Sequence, residues 1–228
     1  MRAPSAVLFD AYGTLFDVYS VGALAELFFP GQGAALSALW RDKQIEYTRL
    51  VTTSGDGAHY RPFSELTRAA LRYAAQRLGL AMEDDHEAAL MDQYFHLAAF
   101  PEVREVLQAL RQRGVVTGLL SNGDRPMLDA AVGSAGLAGL LDHVISVDVI
   151  RKYKTHPDAY RLGVQATGQP VGDIAFVSSN GWDALAATWY GFRTLWINRQ
   201  GLPFETLGTQ PERTGRDLRA VLDFFPAP

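Results

Sequence analysis

Five short apolar segments recur along the chain, and each ends in polar or turn-forming residues. The segments are residues 6–9, 115–120, 143–147, 174–177 and 194–197. Runs of this length that are rich in β-branched residues are typical of buried strands. Amphipathic segments of helical length alternate with the later runs, at residues 102–113, 126–135, 157–167 and 183–190. Strands that alternate with helices predict an α/β fold built on a parallel sheet.

The stretch between the first two strands breaks this alternation. Residues 18–98 contain four segments of helical length, at 21–28, 35–51, 63–78 and 83–95. We expect them to form a helical cap subdomain, inserted after the first strand of a Rossmann-like core that consists of residues 1–17 and 99–228. Residues 200–213 are rich in glycine, proline and polar side chains, which predicts a surface loop before a last short helix.

The composition narrows the range of functions. The chain has 228 residues, of which 48% are hydrophobic and 20% charged, so it can bury a sizeable core and is not a disordered polypeptide. Its net charge of −4 argues against a nucleic-acid partner, because proteins that bind phosphate backbones normally carry a basic excess. There is no cysteine, which excludes disulfides, thiolate metal sites and a cysteine nucleophile. No apolar run approaches the ~20 residues of a membrane helix, and we expect a cytoplasmic protein.

Polar residues end three of the predicted strands. Asp10 follows the first strand, Ser-Asn-Gly at 121–123 follows the second, and a polar stretch at 178–183 follows the fourth. Each has an ordinary explanation, as a turn residue or a helix N-cap, and a single lysine such as Lys154 is most often a solvated surface charge. In parallel sheets, however, ligands bind beyond the carboxyl ends of the strands. The coincidence of these groups at one edge of the sheet therefore favours a catalytic site.

In order along the chain, these residues resemble the motifs of the haloacid dehalogenase superfamily. The matching residues are Asp10-x-Tyr12-Gly13-Thr14, Leu120-Ser121-Asn122-Gly123, Lys154 and Ser178-Ser179-Asn180-x-Trp182-Asp183, and Leu39-Trp40-Arg41 with Gln44 and Tyr47 resembles the block that supplies the cap arginine. Within the superfamily the chain is most similar to the L-2-haloacid dehalogenases of type II. The phosphatases of the superfamily carry a second aspartate, which protonates the leaving oxygen, at the position where this chain has Tyr12. A dehalogenase does not need this proton donor, because a halide leaves as a stable anion. One departure is that two residues, Thr155 and His156, separate Lys154 from Pro157.

The resemblance implies a covalent displacement in two steps. Asp10 attacks C2 of an L-2-haloalkanoic acid, and water then hydrolyses the ester with Asp183 as the base, which gives a D-2-hydroxy acid. Lys154 favours the ionised form of Asp10. Thr14 is expected to fix the Asp10 loop, and Ser178 and Asn180 to orient Lys154 and Asp183.

The same resemblance indicates a halide site at Arg41, because a guanidinium is always charged and weakly hydrated. The alternative is a surface arginine paired with Glu46 or Asp42. The remaining candidates bind substrate: Ser121, Asn122 and the backbone of Ala11 and Tyr12 for the carboxylate; Tyr12, Ile45, Phe63 and Trp182 as an apolar wall around C2; and Tyr160 as a hydrogen-bond partner of the Lys154 and Asp10 cluster. Ile45 and Phe63 are equally suited to plain core, and Tyr160 to helix packing on the sheet.

Two other functions stay open on the sequence alone: a capped small-molecule phosphatase, and a non-catalytic member that binds a ligand. The five histidines lack metal-ligand spacing, and no glycine-rich dinucleotide motif is present, so neither a metal nor a cofactor is expected. The expected partners are a 2-halocarboxylate, the halide product and a second copy of the chain in a homodimer, with neither nucleic acid nor a membrane among them.

Overall fold

The computed structural model describes residues 2–226, which contain one six-stranded sheet. Its strands are β1 (Ala6–Phe9), β2 (Val116–Ser121), β3 (His143–Ser146), β4 (Ile174–Ser178), β5 (Arg193–Ile197) and β6 (Arg213–Gly215). They follow the order β3-β2-β1-β4-β5-β6, and every neighbouring pair is parallel. The predicted parallel α/β fold is confirmed, and each of the five predicted strands is present.

Four helices of the core alternate with these strands, as predicted. They are α5 (Val103–Gln112), α6 (Arg125–Ser134), α7 (Pro157–Thr167) and α8 (Gly181–Tyr190). The starts of α6 and α7 follow from local chemistry: the side chains of Asp124 and His156 accept backbone N–H groups, and a proline occupies the first turn of each helix. Within residues 2–226, no helix is both long enough and apolar enough to cross a membrane.

β1 lies at the centre of the sheet, and its four residues are completely buried. Phe9 pairs with Leu119 of β2 on one side and with Val177 of β4 on the other. The strand order therefore runs away from β1 in both directions, which makes its carboxyl end the switch point where α/β sheets bind ligands. Asp10 follows directly, and its N–H donates to the carbonyl of Val177 at 2.9 Å.

Four consecutive helices occupy the chain between β1 and α5. They are α1 (Val21–Phe28), α2 (Gly33–Thr53), α3 (Phe63–Arg77) and α4 (Asp84–Phe95). We call this helical segment the insert; the division of the chain into domains at 17/18 and 98/99 stays a prediction.

The two chain segments that join the insert to the core lie side by side. The N–H of Asp17 donates to the carbonyl of Ala98, and the N–H of Phe100 donates to that of Leu15, both at 2.9 Å. An antiparallel bridge joins Phe16 to Ala99 between them. We call residues 15–17 and 98–100 the paired linker, and it begins directly after the turn that follows Asp10.

The C-terminal tail differs from the prediction. The expected surface loop is followed by the short strand β6, which extends the sheet by pairing with β5. The last segment, Leu218–Phe224, is a 3-10 helix. Because β6 is an edge strand of three residues in which Arg213 and Thr214 are exposed, no apolar run in the sequence marks it.

Candidate active site

Asp10 lies at the carboxyl end of β1 with both carboxylate oxygens engaged. Its Oδ1 accepts from Lys154 Nζ at 3.1 Å. Its Oδ2 accepts from Thr14 Oγ1 at 3.1 Å and from Asn180 Nδ2 at 2.8 Å, and Ser178 Oγ lies 3.5 Å away. Asp10 is only 5% exposed. One oxygen is therefore held by several neutral donors, and the other by a single cation.

Lys154 lies between two carboxylates in the interior. It is 1% exposed, and its Nζ is 3.1 Å from Asp10 Oδ1 and 2.9 Å from Asp183 Oδ2. Burial alone would lower the pKa of Lys154, but the two carboxylates outweigh it and raise that pKa, so the ammonium form is favoured. Burial raises the pKa of the Asp183 carboxyl, against the opposing effect of Lys154. Asp183 is thereby a better proton acceptor than an exposed aspartate.

Tyr160 forms a hydrogen bond with Asp183. Its hydroxyl donates to Asp183 Oδ1 at 2.7 Å. Burial, helped by the charge of Asp183, raises the pKa of Tyr160, so the phenol keeps the proton that it donates. The expected hydrogen bond into the Lys154 and Asp10 cluster is present, but it reaches the cluster through Asp183 rather than through Lys154 or Asp10. Tyr160 does not line the cavity described below. The reason is its position on α7, where its ring packs against Phe176 of β4.

The turn after Asp10 is tightly built. Gly13 has a φ of +88°, which favours glycine, and a Cβ atom there would lie 3.0 Å from Ser179 Oγ. Thr14 Oγ1 accepts from the N–H of Ser179 at 2.8 Å while it donates to Asp10, so it links the turn to the end of β4. The carbonyl of Ala11 accepts from the amides of residues 14–16. Ala11 is fully buried, and the expected contact of its backbone with the substrate carboxylate stays a prediction.

Arg41 reaches the site from α2. Its Nη2 donates to Asn180 Oδ1 at 3.2 Å and to the carbonyl of Tyr12 at 3.4 Å. The alternative of a surface pair with Glu46 does not hold, because Glu46 pairs with Lys43 at 2.7 Å. A guanidinium from the insert thus lies against the turn of the predicted nucleophile.

A small cavity lies beside Asp10. The core contributes Asp10, Tyr12, Ser121, Asn122 and Trp182 to its lining, and the insert contributes Arg41, Ile45, Thr48 and Phe63. The ring of Tyr12 stacks on Phe63 with 5.5 Å between centroids and lies 5.4 Å from the ring of Tyr94. The cavity therefore combines an apolar wall with one carboxylate and one guanidinium.

Ser121 and Asn122 line the same cavity from the end of β2. Ser121 Oγ accepts from the N–H of Gly123 at 3.0 Å, and Asn122 Oδ1 accepts from the N–H of Lys154 at 2.9 Å. Asn122 thereby holds the loop that carries Lys154. The hydroxyl hydrogen of Ser121 and the NH₂ group of Asn122 donate to no atom of residues 2–226, so both can donate to an anion in the cavity.

One expected set of contacts is wrong. Ser178 and Asn180 contact Asp10 rather than orienting Lys154 and Asp183 through their side chains. The reason lies in the register: β4 ends beside β1, so the side chains that follow it face the Asp10 carboxylate.

Three further residues belong to the site, although the sequence did not identify them. Thr48 lines the cavity and follows Arg41 and Ile45 at helical spacing on α2, a pattern that would have revealed it. Gln44 Oε1 accepts from Arg41 Nη1 at 2.7 Å, and was noted only as part of a motif. Arg199 Nη2 donates to the carbonyl of Thr14 at 3.1 Å from the loop after β5, where no sequence signal marked it.

Within residues 2–226, no three histidine, aspartate or glutamate side chains converge in a way that suits a metal ion. The space between Asp10 and Asp183 holds the ammonium group of Lys154 instead.

Comparison with known proteins agrees with this geometry. The sequence model of the haloacid dehalogenase-like hydrolases matches residues 4–191. An (S)-2-haloacid dehalogenase from Pseudomonas sp. strain YL is 44% identical over 96% of this chain and 93% of its own length.

Solved structures extend the similarity to the whole fold. The crystal structure of an L-2-haloacid dehalogenase shares 56% identity and superimposes with a TM-score of 0.97, covering 99% of this chain and all (100%) of the other. The L-2-haloacid dehalogenase from Xanthobacter autotrophicus, solved with chloropropionic acid covalently bound, is 34% identical with a TM-score of 0.88 and full (100%) coverage of both chains.

Proposed function

Since this chain belongs to the haloacid dehalogenase-like hydrolases, we propose that it hydrolyses the carbon–halogen bond of short L-2-haloalkanoic acids and releases D-2-hydroxy acids. One observation carries the proposal: the Asp10 carboxylate borders a small apolar cavity, 3.1 Å from a buried ammonium, with a tyrosine two residues later. The apolar lining beside the guanidinium of Arg41 suits a short, singly charged acid.

In the first step, Asp10 Oδ1 forms a bond to C2 while the carbon–halogen bond breaks, and the halide leaves with the bonding electron pair. Oδ1 is the better nucleophile because, within residues 2–226, it accepts a hydrogen bond from Lys154 alone, whereas Oδ2 is held by Thr14 and Asn180. The bond forms on the face of C2 opposite the halogen, so the configuration inverts. The product of this step is an ester between Asp10 and the acid.

The two anions of this step have separate partners in the proposal. Ser121 and Asn122 donate to the substrate carboxylate from the end of β2. Arg41, which lies on the insert side of the cavity, stabilises the departing halide. Tyr12 and Phe63 exclude water from the reacting carbon, which favours substitution by the carboxylate over direct hydrolysis.

In the second step, water adds to the Asp10 carbonyl carbon while Asp183 takes a proton. The negative charge that develops on Oδ2 is stabilised by Thr14 Oγ1 and Asn180 Nδ2, which lie 3.1 and 2.8 Å away in the resting site. The bond between the carbonyl carbon and Oδ1 then breaks, and the proton passes to the departing 2-hydroxy acid. Its new hydroxyl oxygen comes from Asp10.

A single turnover in ¹⁸O-labelled water tests the covalent step. We expect label in a carboxylate oxygen of Asp10 and unlabelled oxygen in the first 2-hydroxypropionate released from L-2-chloropropionate. Label that enters the product directly would mean that water attacks C2, and would overturn the proposal. Asp10→Asn should abolish chloride release, whereas Asp129→Asn, which changes an exposed aspartate on α6, should not.

The same assay separates the alternative functions. A magnesium-dependent phosphatase would lose activity in excess EDTA and regain it with magnesium, whereas dehalogenation by the proposed route should continue in EDTA. A binding protein without catalytic activity would release no chloride at all.

We also propose that the protein is a cytoplasmic homodimer, as expected from the sequence. Sedimentation equilibrium tests the dimer, because a single species near 25.0 kDa would contradict it. Cell fractionation tests the location.

A further inference from the structure

Arg199, in the loop after β5, connects three segments around the predicted nucleophile. Its Nη2 donates to the carbonyl of Thr14 at 3.1 Å, and its Nη1 pairs with Glu102 Oε1 at 2.7 Å. The guanidinium carbon lies 3.7 Å from the ring centroid of Phe100. Phe100 belongs to the paired linker, and Glu102 immediately precedes α5. Arg199 thus ties the turn after Asp10 to the segment where the chain returns from the insert.

Both partners of the ion pair between Arg199 and Glu102 are largely shielded from solvent. Glu102 is 4% exposed, and its Oε1 also accepts from the N–H of Leu218 at 3.2 Å. The Arg199 side chain is 17% exposed. An ion pair this far from solvent is screened little, and its geometry is fixed by the planar guanidinium, which offers separate N–H groups to the carboxylate and to the carbonyl.

A single residue, Thr14, connects Arg199 to the predicted nucleophile Asp10 through hydrogen bonds. The carbonyl of Thr14 accepts from Arg199, while the hydroxyl of Thr14 donates to Asp10 Oδ2. We propose that Arg199 is a positioning residue for the hydrolysis of the ester: it holds Thr14 so that its hydroxyl meets the charge that develops on Oδ2. The inference rests on the proposed function, since it assigns Arg199 to the second of its two steps.

The two steps depend on the Thr14 hydroxyl in opposite ways. In the first step the carboxylate loses negative charge as Oδ1 bonds to carbon, so a donor on Oδ2 stabilises the starting state more than the transition state. In the second step Oδ2 gains charge, and the same donor stabilises the transition state. A displaced Thr14 therefore leaves ester formation unchanged or faster and makes ester hydrolysis slower.

The variant Arg199→Met tests this directly, because methionine keeps much of the side-chain volume and removes both hydrogen bonds. We expect rapid release of one chloride per active site from L-2-chloropropionate, followed by slow turnover. The ratio of the rate constants for ester formation and hydrolysis should rise at least about ten-fold, a smaller effect than the loss of an entire oxyanion donor. Mass spectrometry should find the added mass of a 1-carboxyethyl group, the acid bonded through C2, on the peptide that contains Asp10.

Arg193→Met is a closely matched control. Arg193 also pairs with a glutamate, Glu212 at 2.6 Å, donates to a backbone carbonyl, and lies over the ring of Phe224. These contacts are at the amino end of β5, away from Asp10, so this variant should lose stability without accumulating ester. A loss of stability alone lowers the active fraction and leaves the ratio of the two steps unchanged.

Two milder variants keep the inference testable if Arg199→Met does not fold. Arg199→Lys can reach Glu102 but lacks the planar fork, and Glu102→Gln removes the charge that fixes the arginine. Both should raise the ratio by less than Arg199→Met would. If the wild-type enzyme forms no ester, the proposed function fails. If it forms and hydrolyses the ester, and the ratio is unchanged in the Arg199 and Glu102 variants, the role of Arg199 is wrong.

Discussion

Each carboxylate of the site divides its two oxygens between different partners. Asp10 offers one oxygen to Lys154 and the other to neutral donors. Asp183 likewise accepts from Lys154 at Oδ2 and from Tyr160 at Oδ1. Because burial raises the pKa of Asp183 while Tyr160 lowers it, this one hydrogen bond adjusts how readily the predicted base ionises.

At the scale of single residues, Tyr160→Phe should shift the pH dependence of turnover. Hydrolysis of the ester requires ionised Asp183, so kcat falls as the pH decreases through the pKa of Asp183, which burial places above its ordinary 3.8. Loss of the Tyr160 hydrogen bond destabilises the ionised form and raises that pKa further. The acidic decline of kcat should therefore move to higher pH, as measured by chloride release across a pH series.

Tyr190→Phe is the control for this change. The ring of Tyr190 packs 5.6 Å from that of Tyr160, but it makes no hydrogen bond to Asp183 within residues 2–226. Its pH profile should match that of the wild-type enzyme. A Tyr160→Phe profile with an unchanged acidic decline would show that Asp183 is not the group that controls turnover there.

The sequence identified most single residues of the site because they end strands. Asp10, Ser121 and Ser178 follow apolar runs, and a parallel sheet brings such positions to one edge. The side-chain contacts between these residues were harder to predict from the sequence, because a contact such as the hydrogen bond from Tyr160 depends on how α7 packs on the sheet. Arg199 was missed because its loop has no pattern, and only tertiary structure brings it to Thr14.

At the scale of elements, the position of α7 on the sheet depends on a glycine. A Cβ atom added at Gly163 would clash with Leu8 Cδ1 of β1 and lie 3.3 Å from Leu120 Cδ2 of β2. Gly163→Ala should therefore lower the free energy of unfolding by about 1–3 kcal/mol through overpacking, partly offset by the better helix propensity of alanine. Urea denaturation measures this difference. Since α7 carries Tyr160, activity should also decrease.

Gly133→Ala should change the free energy of unfolding in the opposite direction. Gly133 lies in α6, and no atom would be within 4 Å of an added Cβ. Only the gain in helix propensity remains, so this variant should be more stable than the wild type by about 0.5–1 kcal/mol. Equal stability of the two alanine variants would contradict the close packing of α7 on β1.

Helices and strands with a clear hydrophobic pattern were predictable from the sequence, whereas β6, which has no such pattern, was not. The helices of the insert were located from helical-length patterns, with α2 beginning at Gly33 rather than at residue 35. β6 was missed because an arginine, a threonine and a glycine become a strand only by pairing with β5. Long-range pairing of this kind is a property of the folded chain rather than of the local sequence.

At the scale of the whole molecule, the cavity exists only where the insert meets the core. Arg41, Ile45 and Phe63 reach it from one side, and Asp10 and Trp182 from the other. The sequence predicted both groups of residues but not what fastens the two parts together. Asp124 is one such fastening, because its Oδ1 accepts from the N–H of Met127 in α6 while its Oδ2 accepts from that of Ser64 in α3 at 2.8 Å.

The start of α3 therefore depends on a carboxylate from the core. The residue before this helix is Pro62, whose side chain cannot cap it, so Asp124 supplies the acceptor and the favourable negative charge. Asp124→Ser should keep the cap of α6 but fail to reach Ser64, and hydrogen exchange of the Ser64 amide should accelerate about ten-fold, equivalent to about 1.4 kcal/mol. Asp217→Ser, which makes the same change at the N-cap of the C-terminal 3-10 helix, should leave that amide unchanged. Unaltered exchange at Ser64 in Asp124→Ser would mean that other contacts hold the insert above Asp10.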